Sequence, residues 1–226
     1  MHKVYYHELQ FIRHSDAWSL QESMRNLILE HQGSCHLFMV EHPPTITLGR
    51  AEKGQNLHQS VEHLRAQGFD VVNVNRGGKI TYHGPGQLVV YPVLDLKKLK
   101  LGIKDYVCKL EQTMIDTLQI FGLLAARKDG IPGVYLNHKK IGSLGIHVKK
   151  FVSIHGIALN VSANLDHFSV ITPCGIQNME MTSMKNEGVQ TSLDEVAKVY
   201  AGIFEKIMHC TLEPANIDGH THQLTL

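Results

Sequence analysis

The four cysteines of this chain stand in two kinds of context, and the difference decides which of them can do chemistry. Cys35, Cys108 and Cys210 lie in apolar strand or helix patterns, where a thiol behaves as a small hydrophobic side chain. Cys174 lies instead in Thr172-Pro173-Cys174-Gly175. Proline fixes the approach of the chain, and glycine lets the following backbone turn its N–H toward whatever the sulfur attacks. The spacing therefore predicts an exposed nucleophile on a stiff turn. At neutral pH only a small fraction of an ordinary thiol is thiolate, the reactive species, so a nearby cation must favour the anion. The cysteines show no Cys-x-x-Cys spacing and the 16 histidines no His-Glu-x-x-His spacing, which argues against a metal site and a disulfide framework.

A second segment, RGGKITYHGPGQLVVY from Arg76 to Tyr91, contains almost no ordinary filler. Gly77 and Gly78 lack a Cβ, so the backbone there can take positive φ and approach a ligand closely. Gly84, Pro85 and Gly86 make a stiff reversal before the apolar run Leu88, Val89 and Val90. A glycine-rich hairpin with a solvated basic end would share some of these features, but the density of special residues predicts a site.

Helices and strands that could position these segments are legible from periodicity. Asp16 to His31 places Trp18, Met24, Leu27 and Ile28 near one helical face, and Lys104 to Phe121 does the same with Val107, Leu110, Met114, Leu118 and Phe121. Ser192 followed by Glu195 forms a capping box ahead of Val196, Tyr200, Ile203 and Ile207. Strands are expected at His36 to Val40, Val71 to Asn75, Leu88 to Leu94, Gly133 to Leu136, Lys140 to Val148 and Ser153 to Val161. Several follow one another through short turns, which predicts an α+β fold with a mixed, largely antiparallel sheet and packed helices.

With 226 residues, 43% of them hydrophobic, the chain suits one core better than two, so a single domain over 1–226 is expected. Lys and Arg number 22 against 21 Asp and Glu, and the net charge of +1 gives no global field for nucleic acid or an anionic membrane. Apolar stretches such as Ile120 to Ala126 fall far short of the roughly 20 residues that span a bilayer. The start has no apolar signal core, with Glu8 and Asp16 interrupting it, which predicts a cytoplasmic protein. The tail after Pro214 is polar and carries no motif.

The Arg76–Tyr91 string resembles the lipoyl(octanoyl) transferases, which move an octanoyl group from acyl carrier protein to a lysine of lipoate-dependent enzymes. The family pattern of RGG, two residues, Thr, an aromatic, His, two residues, Gly-Gln and then Tyr is filled by Arg76, Gly77, Gly78, Thr81, Tyr82, His83, Gly86, Gln87 and Tyr91. EHPPTITLGR (Glu41 to Arg50), KIGSLGIHV (Lys140 to Val148) and FSVITPCGI (Phe168 to Ile176) are similar to its other signatures, in the same order, so the likeness covers about residues 35 to 180. Ser162, Asn164 and His147 depart from the pattern, which bears on pocket shape and acceptor contacts rather than on the reaction.

The resemblance implies the fold of the biotin and lipoate protein ligases, with Cys174 as nucleophile and Lys140 facing it. Spacing alone reads Lys140 as a solvated strand-end lysine, 34 residues from Cys174. Substrate-binding positions carried over from the family are Arg76, Gly77, Gly78, Lys79, Ile80, Thr81, Tyr82 and His83, with Ser143, Leu144 and Gly145, and Gly156, Ile157 and Ala158. They imply an apolar slot in which His83 is the polar residue nearest the reaction, or else a structural histidine of the turn. No cofactor is implied. The donor would be octanoyl-acyl carrier protein, and the acceptors lipoyl domains of 2-oxoacid dehydrogenases and the glycine cleavage H protein, in the first step of endogenous lipoate assembly. Lys97, Lys98, Lys100 and Lys104 form one candidate dock for an acidic carrier, and Lys149 and Lys150 another. Two other readings are an ATP-dependent lipoate or biotin ligase, which needs no cysteine nucleophile, and a non-enzymatic scaffold, which leaves Cys174 unexplained.

Overall fold

The computed structural model describes residues 2–215; the polar tail beyond them lies outside the described residues. In chain order the elements are β1 (His2–Phe11), α1 (His14–Leu29), β2 (Cys35–Glu41), β3 (Thr45–Leu48), α2 (Val61–Ala66), β4 (Asp70–Asn73), β5 (Ile80–His83), β6 (Gln87–Val93), α3 (Ile103–Ile120), β7 (Ala126–Lys128), β8 (Ile131–Leu136), β9 (Lys139–Lys149), β10 (Val152–Asn160), α4 (Leu193–Met208) and β11 (Cys210–Pro214).

Every residue of β6 and β10 is buried, because helices cover both faces of the sheet they centre. On β2 and β6 the alternation divides the core. Phe38, Val40, Val89, Tyr91 and Val93 pack with α1, whereas Leu37, Met39, Leu88 and Val90 pack with α3 and α4. This eight-stranded sheet runs β11-β1-β2-β6-β10-β9-β8-β7. Its ladders are antiparallel except β1 with β2 and β1 with β11. A second sheet, β4-β3-β5, packs with α2 around Ile46, Leu64, Phe69, Ile80 and Tyr82.

The α+β architecture and all six expected strands are present, with small differences at their ends. Helix α1 begins at His14, two residues before the expected start, and the Ser192 hydroxyl accepts from Glu195 N–H at the N-terminus of α4. Strands β1, β3, β5, β7 and β11 and the short α2 were not expected. Cys108 corrects the reading of the inert cysteines, for it is exposed. It sits two positions from Leu110, about 200° round the helix, so the Leu110–Met114–Leu118 stripe turns it outward. Among the described residues no helix is long and apolar enough to cross a membrane.

The core contains an unusual number of histidines: His7, His14, His36, His42, His83 and His155 are all buried. Burial opposes their charged form. It pushes His36 and His42 down to about 4 and His14 to about 3, and holds His7 below and His83 and His155 well below the ordinary histidine range. These groups are neutral in the fold and take up protons on unfolding, so the unfolded chain binds more protons below its own histidine range. Stability is therefore expected to fall as pH drops from about 6.5 toward about 4, by up to ~1.4 kcal/mol per pH unit for each histidine. Urea midpoints measured from neutral to mildly acidic pH check this; a midpoint that stays level across that window is incompatible with six neutral core histidines.

Candidate active site

Cys174 sits in a 3-10 turn, Pro173–Gly175, with φ 57° and ψ 7°, in the left-handed region that a side chain rarely adopts. The turn is held from outside. Thr172 N–H donates to the Asn56 carbonyl at 2.9 Å, while His58 donates through Nδ1 to the Ser169 carbonyl at 2.9 Å, leaving its Nε2 to accept from the Thr172 hydroxyl at 2.9 Å. Gly175 N–H, which the sequence directed toward a substrate, donates back to the Thr172 carbonyl at 2.9 Å, because the 3-10 turn uses that donor to close itself.

Lys140 meets the sulfur. Its Nζ donates to Cys174 Sγ at 3.2 Å and to the Pro132 carbonyl at 2.8 Å, and lies 5.5 Å from the centre of the Tyr135 ring. At 1% exposure it is not the solvated strand-end lysine that its spacing allows. The backbone prepares its place. Gly133 takes φ 123°, and a Cβ there would lie 2.6 Å from Lys140 Cε, so the side chain passes through the space a larger residue would fill. Lys140 N–H donates to the Glu180 carbonyl and its carbonyl accepts from Thr182 N–H, which ties β9 to the segment after the cysteine turn.

The pair opens on a cavity of about 510 Å³, within the range of small-molecule sites. All the expected site residues line it except Tyr82. Strand alternation turns that ring into the core of the small sheet, where its hydroxyl lies 2.7 Å from His167 Nδ1. Ser143, Leu144 and Gly145 of β9 stand directly opposite Ala158, Ile157 and Gly156 of β10, so two segments far apart in sequence form one wall. A Cβ on Gly156 would run into the Val90 carbonyl, which makes its smallness a packing requirement. Ser162, Asn164 and His147 do not line the cavity.

Arg76 lines the cavity yet spends its donors on the frame. Its guanidinium donates to the Thr47 carbonyl and hydroxyl at 2.8 and 2.7 Å and to the Gly77 carbonyl at 3.0 Å, and burial lowers it to about 10. Gly77 N–H in turn donates to the Ile146 carbonyl at 2.9 Å, joining the loop to β9. Gly78 has φ 81°, and neither its N–H nor that of Lys79 donates to an acceptor among the described residues. Lys79 is exposed, with its stem lying along Gly175.

His83 belongs to a histidine wall whose other members, His14 and His155, were missed from the sequence. His14, His83 and His155 line the cavity with Tyr91, and the His14 ring stacks on those of His83 and His155 at 6.0 and 6.5 Å. Hydrogen bonds set their protons. Asn160 donates to the Thr182 carbonyl and accepts from the Gln87 amide nitrogen, which leaves Gln87 Oε1 to accept from His83 Nδ1–H at 3.2 Å. His83 Nε2 is thus a bare lone pair. His42 Nδ1–H donates to the Ile12 carbonyl, so its Nε2 accepts from the Tyr91 hydroxyl at 2.8 Å. Tyr91 and Ile146 stood inside recognised motifs; His14 and His155 had no local signal. Among the described residues no group of three or more His, Cys, Asp or Glu side chains is placed to hold a metal ion.

Residues 13–205 match the lipoyl protein ligase A/B catalytic domain. The chain is 42% identical over 204 residues to an octanoyltransferase of Xanthomonas campestris pv. campestris (strain 8004), covering 90% of this chain and 84% of that one. An octanoyltransferase of Maridesulfovibrio salexigens is 40% identical over 210 residues, covering 92% and 98% of the two chains. Among solved structures, a bipartite lipoate protein ligase from Thermoplasma acidophilum superposes with a TM-score of 0.73 at 18% identity, over 96% of this chain and 88% of that one. A biotin protein ligase from Aquifex aeolicus in complex with biotin and ATP superposes with a TM-score of 0.56 at 15% identity, over 90% and 70%. The fold is that of these ligases, and on the extent of the sequence match the chain belongs to the lipoyl protein ligase A/B catalytic domain family.

Proposed function

We propose that this protein, as a single cytoplasmic catalytic domain, transfers an octanoyl group from octanoyl-acyl carrier protein to a lysine ε-amine of lipoyl domains and of the glycine cleavage H protein, through a thioester on Cys174. The observation that carries the reading is the buried Lys140 amine 3.2 Å from Cys174 Sγ at the wall of an apolar cavity, in a chain whose relatives are octanoyltransferases.

Cys174 thiolate attacks the carrier thioester, and the cavity-lining N–H groups of Gly78 and Lys79, which reach no acceptor among the described residues, are candidate donors to the oxyanion. Collapse breaks the bond to the carrier sulfur, which leaves as a thiol with a proton from Lys140, and the octanoyl group stays on Cys174. Exchange of one thioester for another is nearly thermoneutral. The acceptor amine then attacks the enzyme thioester, Lys140 takes the amine's proton, and the Cys174 thiolate is restored as the amide forms. Amide formation drives transfer without a nucleotide.

Mass spectrometry after incubation with octanoyl-acyl carrier protein alone tests the reading. An octanoyl adduct on Cys174 without ATP supports it, and an acyl-adenylate formed only with ATP supports a ligase instead.

Cys174→Ala is expected to abolish the adduct and lower transfer by about a thousandfold or more while keeping the fold, whereas Cys35→Ala retains most activity. Steady-state rates with circular dichroism decide it, and normal turnover by the Cys174→Ala protein removes the covalent route. Lys140→Met keeps the bulk that fills the space over Gly133 but removes the charge and the proton. Alkylation of Cys174 by iodoacetamide at neutral pH is expected to slow about tenfold, with both half-reactions slower still. Unchanged alkylation would mean that the amine does not sustain the thiolate.

A further inference from the structure

The two lysine groups that the sequence offered as alternative docks are one surface in the fold. Leu96 N–H donates to the Phe151 carbonyl at 2.8 Å, and Asp95 bridges to Val152, so the β9–β10 hairpin tip packs against the connection between β6 and α3. Lys97, Lys98, Lys100, Lys104, Lys149 and Lys150 are all exposed there. Only Lys98 makes an ion pair among the described residues, with Asp95 at 3.9 Å, and the first turn of α3 adds one further carboxylate, Asp105. Six cations against two carboxylates form a local positive field on a chain whose net charge is +1.

Apolar side chains stand within this field. Phe151 is 50% exposed and Ile103 49%. Phe151 is held there against its own backbone preference. Lys149 pairs with Val152, so the hairpin turns through Lys150 and Phe151 alone, at φ 48° and 65°. Two-residue turns of this kind favour Asn-Gly, and a bulky residue at positive φ is an outlier. Such strain, maintained to display an aromatic ring at the tip of a basic hairpin, marks a contact surface.

The surface borders the cavity. Val107 lines it from α3, with Lys104 and Ile103 three and four residues before it on the same helical face. A partner seated on the lysines would stand beside the cavity, able to feed a flexible arm past Val107. We propose that this surface docks the acidic carrier protein that delivers the acyl thioester, with Phe151 and Ile103 as its apolar contacts. The inference rests on the transferase reading above. An acidic partner matches the charge, and a tethered thioester requires the dock to lie beside the cavity, a condition that an anionic membrane or a nucleic acid would not impose.

The test is the full chain carrying Lys104→Glu and Lys150→Glu. The apparent KM for octanoyl-acyl carrier protein is expected to rise about tenfold at low salt, with the gap narrowing as salt increases. Transfer from octanoyl-N-acetylcysteamine and the KM for the acceptor domain should stay unchanged. An unchanged carrier KM overturns the proposal, and so does a rise confined to the acceptor domain, which would assign the surface to the acceptor. If the double reversal impairs the small thioester equally, Lys104→Gln with Lys150→Gln is judged by the same criteria. Binding of fluorescent carrier to the unreacted protein separates this inference from the transferase reading. Weaker binding by the variant supports the dock even if the unaltered protein transfers no octanoyl group. Equal binding by both forms overturns the dock even if transfer is normal, as does binding of anionic vesicles or nucleic acid through these lysines in place of carrier.

Discussion

A lysine amine almost wholly removed from water is the constraint around which this site is built. An ammonium in a low-dielectric interior is costly unless acceptors replace its hydration. Here the Pro132 carbonyl, the Cys174 sulfur and the face of Tyr135 take that part. The glycine at 133 leaves room for the stem, the ladder between β8 and β9 shifts register between Val134 and Tyr135, and the segment after the cysteine turn is bonded to both sides of the Lys140 peptide. These departures from regular sheet lie beside the amine and let it reach the sulfur.

The rest of the cavity follows the same economy, with small residues where chains cross and polar groups spent on the frame. Arg76 looks like a substrate clamp because it opens the RGG segment, but its hydrogen bonds run to Thr47 and Gly77, so it fastens the glycine loop to the small sheet. Gly145 and Gly156 face each other across the wall, and each is small because something passes over it: the Arg76 stem in one case, the Val90 carbonyl in the other. The apolar floor can hold an acyl chain, and His83 Nε2 leaves an acceptor beside it.

Local chemistry was legible in the sequence, and long-range convergence was not. The Thr-Pro-Cys-Gly turn was legible because proline and glycine act on their own neighbours, although its cysteine is half-buried rather than exposed, and α4 was legible from Ser192 and Glu195 because a helix cap is a local bond. Lys140 could be paired with Cys174 only through the family likeness, since a contact between residues on a strand and a distant turn leaves no periodic trace. The histidine wall draws on α1, β5 and β10; His83 was marked by the string around it, but nothing near His14 or His155 sets its imidazole apart from a surface histidine. Gly175 shows the opposite error. Its backbone freedom was read correctly, but the turn itself consumed the donor that freedom was expected to release.

The left-handed conformation of Cys174 bears on how the protein fails when heated. A non-glycine residue held at φ 57° lies on the order of 1 kcal/mol or more above a relaxed one and persists only while its surroundings insist on it. That insistence comes from Asn56 and His58, in a connection between β3 and α2, rather than from the centre of the large sheet. The Cys174 sulfur can therefore relax away from Lys140 by a local opening that leaves the sheet and its helices assembled. Loss of the Cys174–Lys140 contact and loss of secondary structure are separate events in such a molecule, and warming should uncouple the cysteine turn before the scaffold that carries it begins to melt.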